Sequence, residues 1–201
     1  MDYILRGISF IFHPLLMPLL GVVFYFSKSP RFIPNEIIWA KILSISILTI
    51  ALPILLYYLL KTLRRVKSIY LKTTKERIVP LALNCVVILI VIKRIVTPAQ
   101  IIELYYFFVG ILISNMACLL FALLKFKVSI HMIAVSGVFM FFIALSIHFS
   151  ININGTLALM ALILGAVATS RLHVNAHTFK ELIIGTLIGA LPQLILLSYW
   201  L

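Results

Sequence analysis

Acidic residues are nearly missing from this chain: five Asp and Glu stand against 17 Lys and Arg in 201 positions. Charged residues of both signs make up 11%, where a soluble domain carries about a quarter. Such a chain is poorly equipped to face water on all sides, and a multi-pass membrane protein is the class that remains. Few carboxylates also means few oxygen ligands for a hard divalent ion, so no metal or other cofactor is expected. Cysteine is scarce too. Cys85 and Cys118 both lie inside apolar runs, with no spacing that speaks for a metal site or a redox compartment. Internal repeats and low-complexity tracts are lacking as well.

What is abundant is apolar sequence, 64% of the chain. A membrane helix needs about 20 mainly apolar residues. Uncharged runs meet this at 7–27, 42–60, 104–124 and 182–201. The charge-free stretch between Lys127 and Arg171 is too long for one crossing, and the polar break at Ser150–Thr156 divides it into helices near 131–149 and 156–170. Gly7–Ser27 is longer than a signal-peptide core and no small-x-small cleavage site follows it. It reads as a first membrane helix interrupted by Pro14 and Pro18. The run Ile78–Ile92 is shorter, closed by Lys93 and Arg94, and spans only if those side chains snorkel outward. The expected fold is therefore an all-α integral membrane protein. It is one domain over 1–201, a bundle of about seven transmembrane helices, six if 78–92 does not cross.

The net charge of +12 does not read as nucleic-acid binding. The cations sit in short gaps between apolar runs rather than on one basic face, which suits membrane lipids or phosphate-bearing substrates. With alternating crossings, three polar clusters meet at one membrane face: KTTKERIVP (72–80), KVSIH (127–131) and SRLHVNAHTFKE (170–181). In the last, His177 and Glu181 are four apart at the start of a predicted helix, so the carboxylate can hold one imidazole N–H and leave the other nitrogen free. Arg171 offers a planar fork of donors suited to phosphate oxygens. The same stretch also reads as a capping box, Thr178-x-x-Glu181, in which Glu181 merely ties back the helix start. Ser129 likewise reads as an N-cap or as a phosphate contact. His13, His148 and His173 match no motif. Asn84 and Asn115 read as interhelical hydrogen-bonding groups, and Glu103 as an interfacial residue.

Ser170-Arg171, five residues, His177, three residues and Glu181 resemble the third signature of the type-2 phosphatidic-acid phosphatase superfamily, S-R-x5-H-x3-D, with glutamate in place of aspartate. Gly185 and Gly189 are similar to the small residues of the family's following helix. Val128-Ser129-Ile130-His131 resembles its second signature, P-S-G-H, without the proline and glycine. Lys72 to Pro80 resembles a loosened first signature, K-x6-R-P, in which Tyr70 stands seven before Arg77 and either Lys72 or Lys75 takes the lysine's place. The motif-bearing core runs from about 72 to 201.

The resemblance implies a membrane-bound lipid phosphate phosphatase. His177 would attack phosphorus and form a phosphohistidine, Glu181 would orient it, and His131 would act as general acid and then base. Arg77, Arg171, Ser129 and Lys72 or Lys75 would hold the phosphate oxygens. It also implies a bacterial inner membrane with the site on the outer face. The charge bias points the other way: twelve of the 17 cations lie on the motif side, which the positive-inside rule would place in the cytoplasm. Without the four candidate phosphate ligands the bias falls to eight against five. Two rivals stand beside this reading. One is a non-catalytic family member that binds an anionic headgroup. The other is a small transporter component, for which the helix centres offer few ionisable residues.

Overall fold

The computed structural model describes residues 2–64, 66 and 73–201. Among them the regular structure is all helix, with no strand. The α-helices are α1 (Asp2–Ile11), α2 (Met17–Lys28), α3 (Asn35–Ser46), α4 (Leu52–Thr62), α5 (Thr74–Arg94), α6 (Ile102–Leu123), α7 (Ile130–His148), α8 (Asn154–His173) and α9 (Phe179–Leu196). A π-helical turn, Ile47–Ala51, joins α3 to α4 in one 28-residue stretch. Pro53 in the first turn of α4 has no N–H to give the preceding turn, and the winding widens there.

Among the described residues five segments are long and apolar enough to cross a membrane: Asn35–Thr62, Ile102–Leu123, Ile130–His148, Asn154–His173 and Phe179–Tyr199. By length and composition this is a helical membrane protein. The surface agrees, since large apolar side chains such as Trp39, Leu55, Leu162 and Ile195 are exposed along these helices, as lipid contact requires.

The first expected helix is instead two. Pro14 lacks an N–H and restricts the residue before it, so α1 stops at Ile11 and residues 12–16 turn. Pro18 lies in the first turn of α2, where a missing N–H costs nothing. The short run 78–92 belongs to the 21-residue α5, which starts four residues earlier, with the Thr73 hydroxyl accepting from the Glu76 N–H.

The core sits among α2, α5, α6 and α7. Phe107 of α6 stacks on Phe141 of α7 at 4.2 Å, and Phe24 of α2 stacks on Phe142 at 3.8 Å. The closest helix pair is α7 with α9. Glycine makes that approach possible. A Cβ at Gly185 would lie 2.9 Å from the Ser129 carbonyl, and one at Gly189 would overlap the Ile133 carbonyl and the Ser136 hydroxyl. The Ser136 hydroxyl also donates to the Thr186 carbonyl at 3.0 Å. Between α6 and α9 the polar ties come from Ser114, which donates to the Ile188 carbonyl, and Gln193, which donates to that of Phe107. The Asn115 amide nitrogen is buried with no hydrogen-bond partner among the described residues, so it is not the interhelical tie its sequence position suggests.

The helix ends fix where the polar residues go. The α8 helix closes with Asn175 at φ 50. The Ala176 N–H returns to the Arg171 carbonyl and the Asn175 N–H to that of Leu172, a Schellman closure that presents His177 at the next helix start. At the far end of the bundle Glu103, in the first turn of α6, is fully buried within the protein. It takes an Arg31 guanidinium N–H at 2.7 Å, the Tyr25 hydroxyl at 3.2 Å and lies 3.2 Å from His148 Nε2. A buried carboxylate needs such partners to stay in the protein interior.

Candidate functional site

The starts of α5, α7 and α9 and the end of α8 lie together at one end of the bundle. Short bonds stitch them. Arg77, buried in the first turn of α5, donates from Nη1 to the Val128 carbonyl at 2.7 Å. The neighbouring Ser129 N–H donates to the Glu181 carbonyl at 3.3 Å. Lys127 donates from Nζ to the Ala176 carbonyl at 2.8 Å. The segment 127–129 is thereby tied to α5 on one side and to the turn carrying His177 on the other.

At the centre His177 is buried. Its Nδ1 lies 2.6 Å from Glu181 Oε2. A carboxylate oxygen accepts, so Nδ1 carries the proton and Nε2 holds the lone pair of the neutral ring. The same Oε2 accepts the Thr178 backbone N–H at 3.3 Å, while the Thr178 hydroxyl accepts the Glu181 N–H at 3.4 Å. The capping box and the histidine hold are both present on one carboxylate.

Burial pushes the His177 pKa down, to about 3, and the cations Arg77, Lys127 and Arg171 push it further in the same direction. The Lys127 backbone acts the other way, and a carboxylate at 2.6 Å also favours the charged ring. The net direction is down because removing a cation from water beside three others outweighs these acceptors. Burial and the neighbouring cations Arg77 and Arg171 lower the Lys127 pKa as well, while Glu181 opposes them. A neutral histidine acted on by three cations keeps a lone pair that can serve as a nucleophile, in surroundings suited to anionic oxygens.

Ser129 is fully buried, and its hydroxyl has no hydrogen-bond partner among the described residues. It precedes the first residue of α7 yet makes no side-chain cap bond. The N-cap role is therefore not exercised, which leaves an acceptor and a donor beside the Arg77-bound carbonyl of Val128.

His131, one residue into α7, is on this end of the bundle too. Arg171 and His177 both act on it electrostatically. Its Nε2 donates to the Ser9 carbonyl of α1 at 3.2 Å, and its ring meets His13 edge-on at 5.6 Å. Ser9 gathers further contacts: its hydroxyl lies 2.6 Å from that of Ser170 and accepts Arg171 Nη1 at 3.5 Å. Ser170 donates to the Leu5 carbonyl at 2.6 Å. The first helix, which carries no motif, thus packs on the cluster through α8.

Of the residues singled out by sequence, His177, Glu181, Arg77, Arg171, Ser129 and His131 come together. Lys75 is exposed, and Lys72 lies outside the described residues. Among the described residues the lysine that acts on His177 is Lys127, from the second motif rather than the first. Ser9, His13 and Lys127 were not singled out. Only Lys127 had a signal, standing two residues before Ser129 in a motif already marked. Among the described residues no group of three or more His, Cys, Asp or Glu is placed to hold a metal ion. Compared with protein-family models, with curated proteins and with solved structures, the chain matches none.

Proposed function

We propose that this chain is a membrane-bound phosphohydrolase of the type-2 phosphatidic-acid phosphatase kind, acting on a lipid phosphate without a metal ion. The observation that carries the reading is the His177–Glu181 pair, a buried neutral imidazole held by a carboxylate, with Arg77, Lys127 and Arg171 acting on the ring. In the proposed reaction His177 Nε2 attacks phosphorus, and the bond to the leaving oxygen breaks. His131, protonated as the anionic substrate binds, delivers that proton to the leaving oxygen. Water then attacks the phosphohistidine, His131 takes its proton, and phosphate leaves as the N–P bond breaks. The arginines, Lys127 and the Ser129 hydroxyl stabilise the charge that grows on the equatorial oxygens.

In this reading α5 crosses the membrane together with the five long apolar segments, and the α1–α2 pair makes a seventh, broken crossing. The α2 helix alone rises about 18 Å, too little for a bilayer core of about 30 Å. The three motifs then share one membrane face, level with the lipid headgroups, where a substrate reacts while its tails stay in the bilayer. The membrane is a bacterial inner membrane and the site faces its outer side, an assignment that rests on the resemblance alone.

The test is phosphate release from a panel of lipid phosphates: phosphatidic acid, phosphatidylglycerol phosphate, a polyprenyl pyrophosphate and a lipid A phosphate. Purified protein should release phosphate from at least one, and His177→Ala should abolish it. Activity that survives the substitution would rule out the nucleophile. Failure to release phosphate from any of them, with the headgroups still bound, would favour a non-catalytic binder.

A further inference from the structure

At the end of the bundle away from His177, two adjoining open depressions flank α3, the larger against the end of α5 and the smaller against Gln100 and Ile101. They share Ile37, Lys41 and Gln100. The larger one adds Arg94, Ser44 and Glu36; the smaller one adds only Ile33 and Ile101. Both therefore mix polar and apolar lining, with Lys41 in the wall of each and the second cation, Arg94, in the larger.

The charged head of Lys41 is fixed in place. Its Nζ donates to the Ile95 carbonyl, just past the last turn of α5, and to Gln100 Oε1 at 2.8 Å. An ammonium has three N–H donors, so one remains for a ligand. Arg94 is exposed and lines the larger depression. Toward the middle of the bundle both helices turn apolar side chains outward, Leu43 and Ile47 on one and Leu89 and Ile90 on the other. Packing between them is sparse.

We infer that the larger depression binds the headgroup of an anionic phospholipid from the leaflet opposite the His177 site. The phosphate would lie between Lys41 and Arg94, with the acyl chains against the exposed apolar side chains of α3 and α5. Charge selects the headgroup class. Glu36 sets one carboxylate against two cations, which suits a singly charged phosphodiester better than a doubly charged monoester. This site is independent of the phosphatase reading and stands or falls without it.

The test is a native mass spectrometry titration of the full-length protein in neutral detergent. The ligands are phosphatidylglycerol, phosphatidic acid and phosphatidylcholine with the same acyl chains, and inorganic phosphate is the competitor. Phosphatidylglycerol should bind about tenfold or more tightly than phosphatidylcholine, and more tightly than phosphatidic acid. Lys41→Gln and Arg94→Gln should each weaken it about tenfold to a hundredfold, the loss expected for a charge-assisted hydrogen bond. Lys41 also ties α3 to α5. Arg94→Gln, at an exposed side chain, keeps the test decisive if Lys41→Gln does not fold. Equal binding of the three lipids, or unchanged phosphatidylglycerol binding in Arg94→Gln, would overturn the inference. So would displacement by inorganic phosphate at equal concentration, which would mark a free-anion site.

Discussion

Oε2 of Glu181 lies 2.6 Å from Nδ1 of His177, one helical turn earlier in the chain. The same oxygen also receives the Thr178 backbone N–H. Cap and histidine hold are therefore separable by mutation, though they share an atom. Thr178→Ala removes the hydroxyl that accepts from Glu181 and leaves the carboxylate on His177. It should cost about 1 kcal/mol of stability and leave kcat within about twofold. Glu181→Gln keeps a side chain able to close the box but exchanges the carboxylate for a weaker acceptor. It should lower kcat by about a hundredfold or more, a term of the size expected for general-base and orienting groups. Thermal melts beside steady-state kinetics read both. Equal loss of stability and activity in both variants would mean that Glu181 serves only the helix.

Among the described residues the lysine that acts on His177 is Lys127. Lys127→Ala removes a cation that acts on His177 and a donor to Ala176. It should reduce kcat/KM about tenfold to a hundredfold. Lys75→Ala, at an exposed side chain, should change it less than about twofold. The reverse order would return the phosphate-binding role to the first motif.

The contact between α7 and α9 depends on glycine. Gly189→Ala sets a methyl group against the Ile133 carbonyl and the Ser136 hydroxyl. The helices must part, at a cost of about 1–3 kcal/mol. Because Ser129 and His177 begin these two helices, activity should fall along with stability. Gly165→Ala, where an added Cβ meets nothing within 4 Å, is the matched control and should leave both unchanged.

Acid should destabilise the fold through His177. Its pKa is lowered from 6.5 to about 3 by burial and by Arg77, Lys127 and Arg171. Below pH 6.5 the unfolded chain binds a proton at this position that the folded one refuses, so stability rises with pH in that window. The contribution is fully present above about pH 6.5 and is lost as pH falls toward 3. His177→Gln should flatten the dependence of melting temperature on pH across this range. An unchanged slope would mean that His177 is charged in the fold.

Much of this architecture is legible in the positions of charge. The gaps between charged residues give α6, α7, α8 and α9 to within a few residues, because a membrane helix must exclude charge over its length. Thr178 and Glu181 give the start of α9 through the capping box. Other features depend on contacts between distant segments. No spacing rule links Ser9 to His131, or Tyr25 and Arg31 to Glu103 and His148, since these meet only after the helices pack. The break at residues 12–16 was half legible. Both prolines were visible, but only the packed structure distinguishes Pro14, which ends α1, from Pro18, which starts α2.

The central claim is that His177 becomes phosphorylated, and rapid-quench trapping tests it most directly. Protein mixed with a ³²P-labelled lipid phosphate and quenched in alkali should carry label that is stable to base and labile to acid. The label should map to the peptide containing His177 and be missing from His177→Ala. Phosphate release with no such label, or label that persists in His177→Ala, would contradict it.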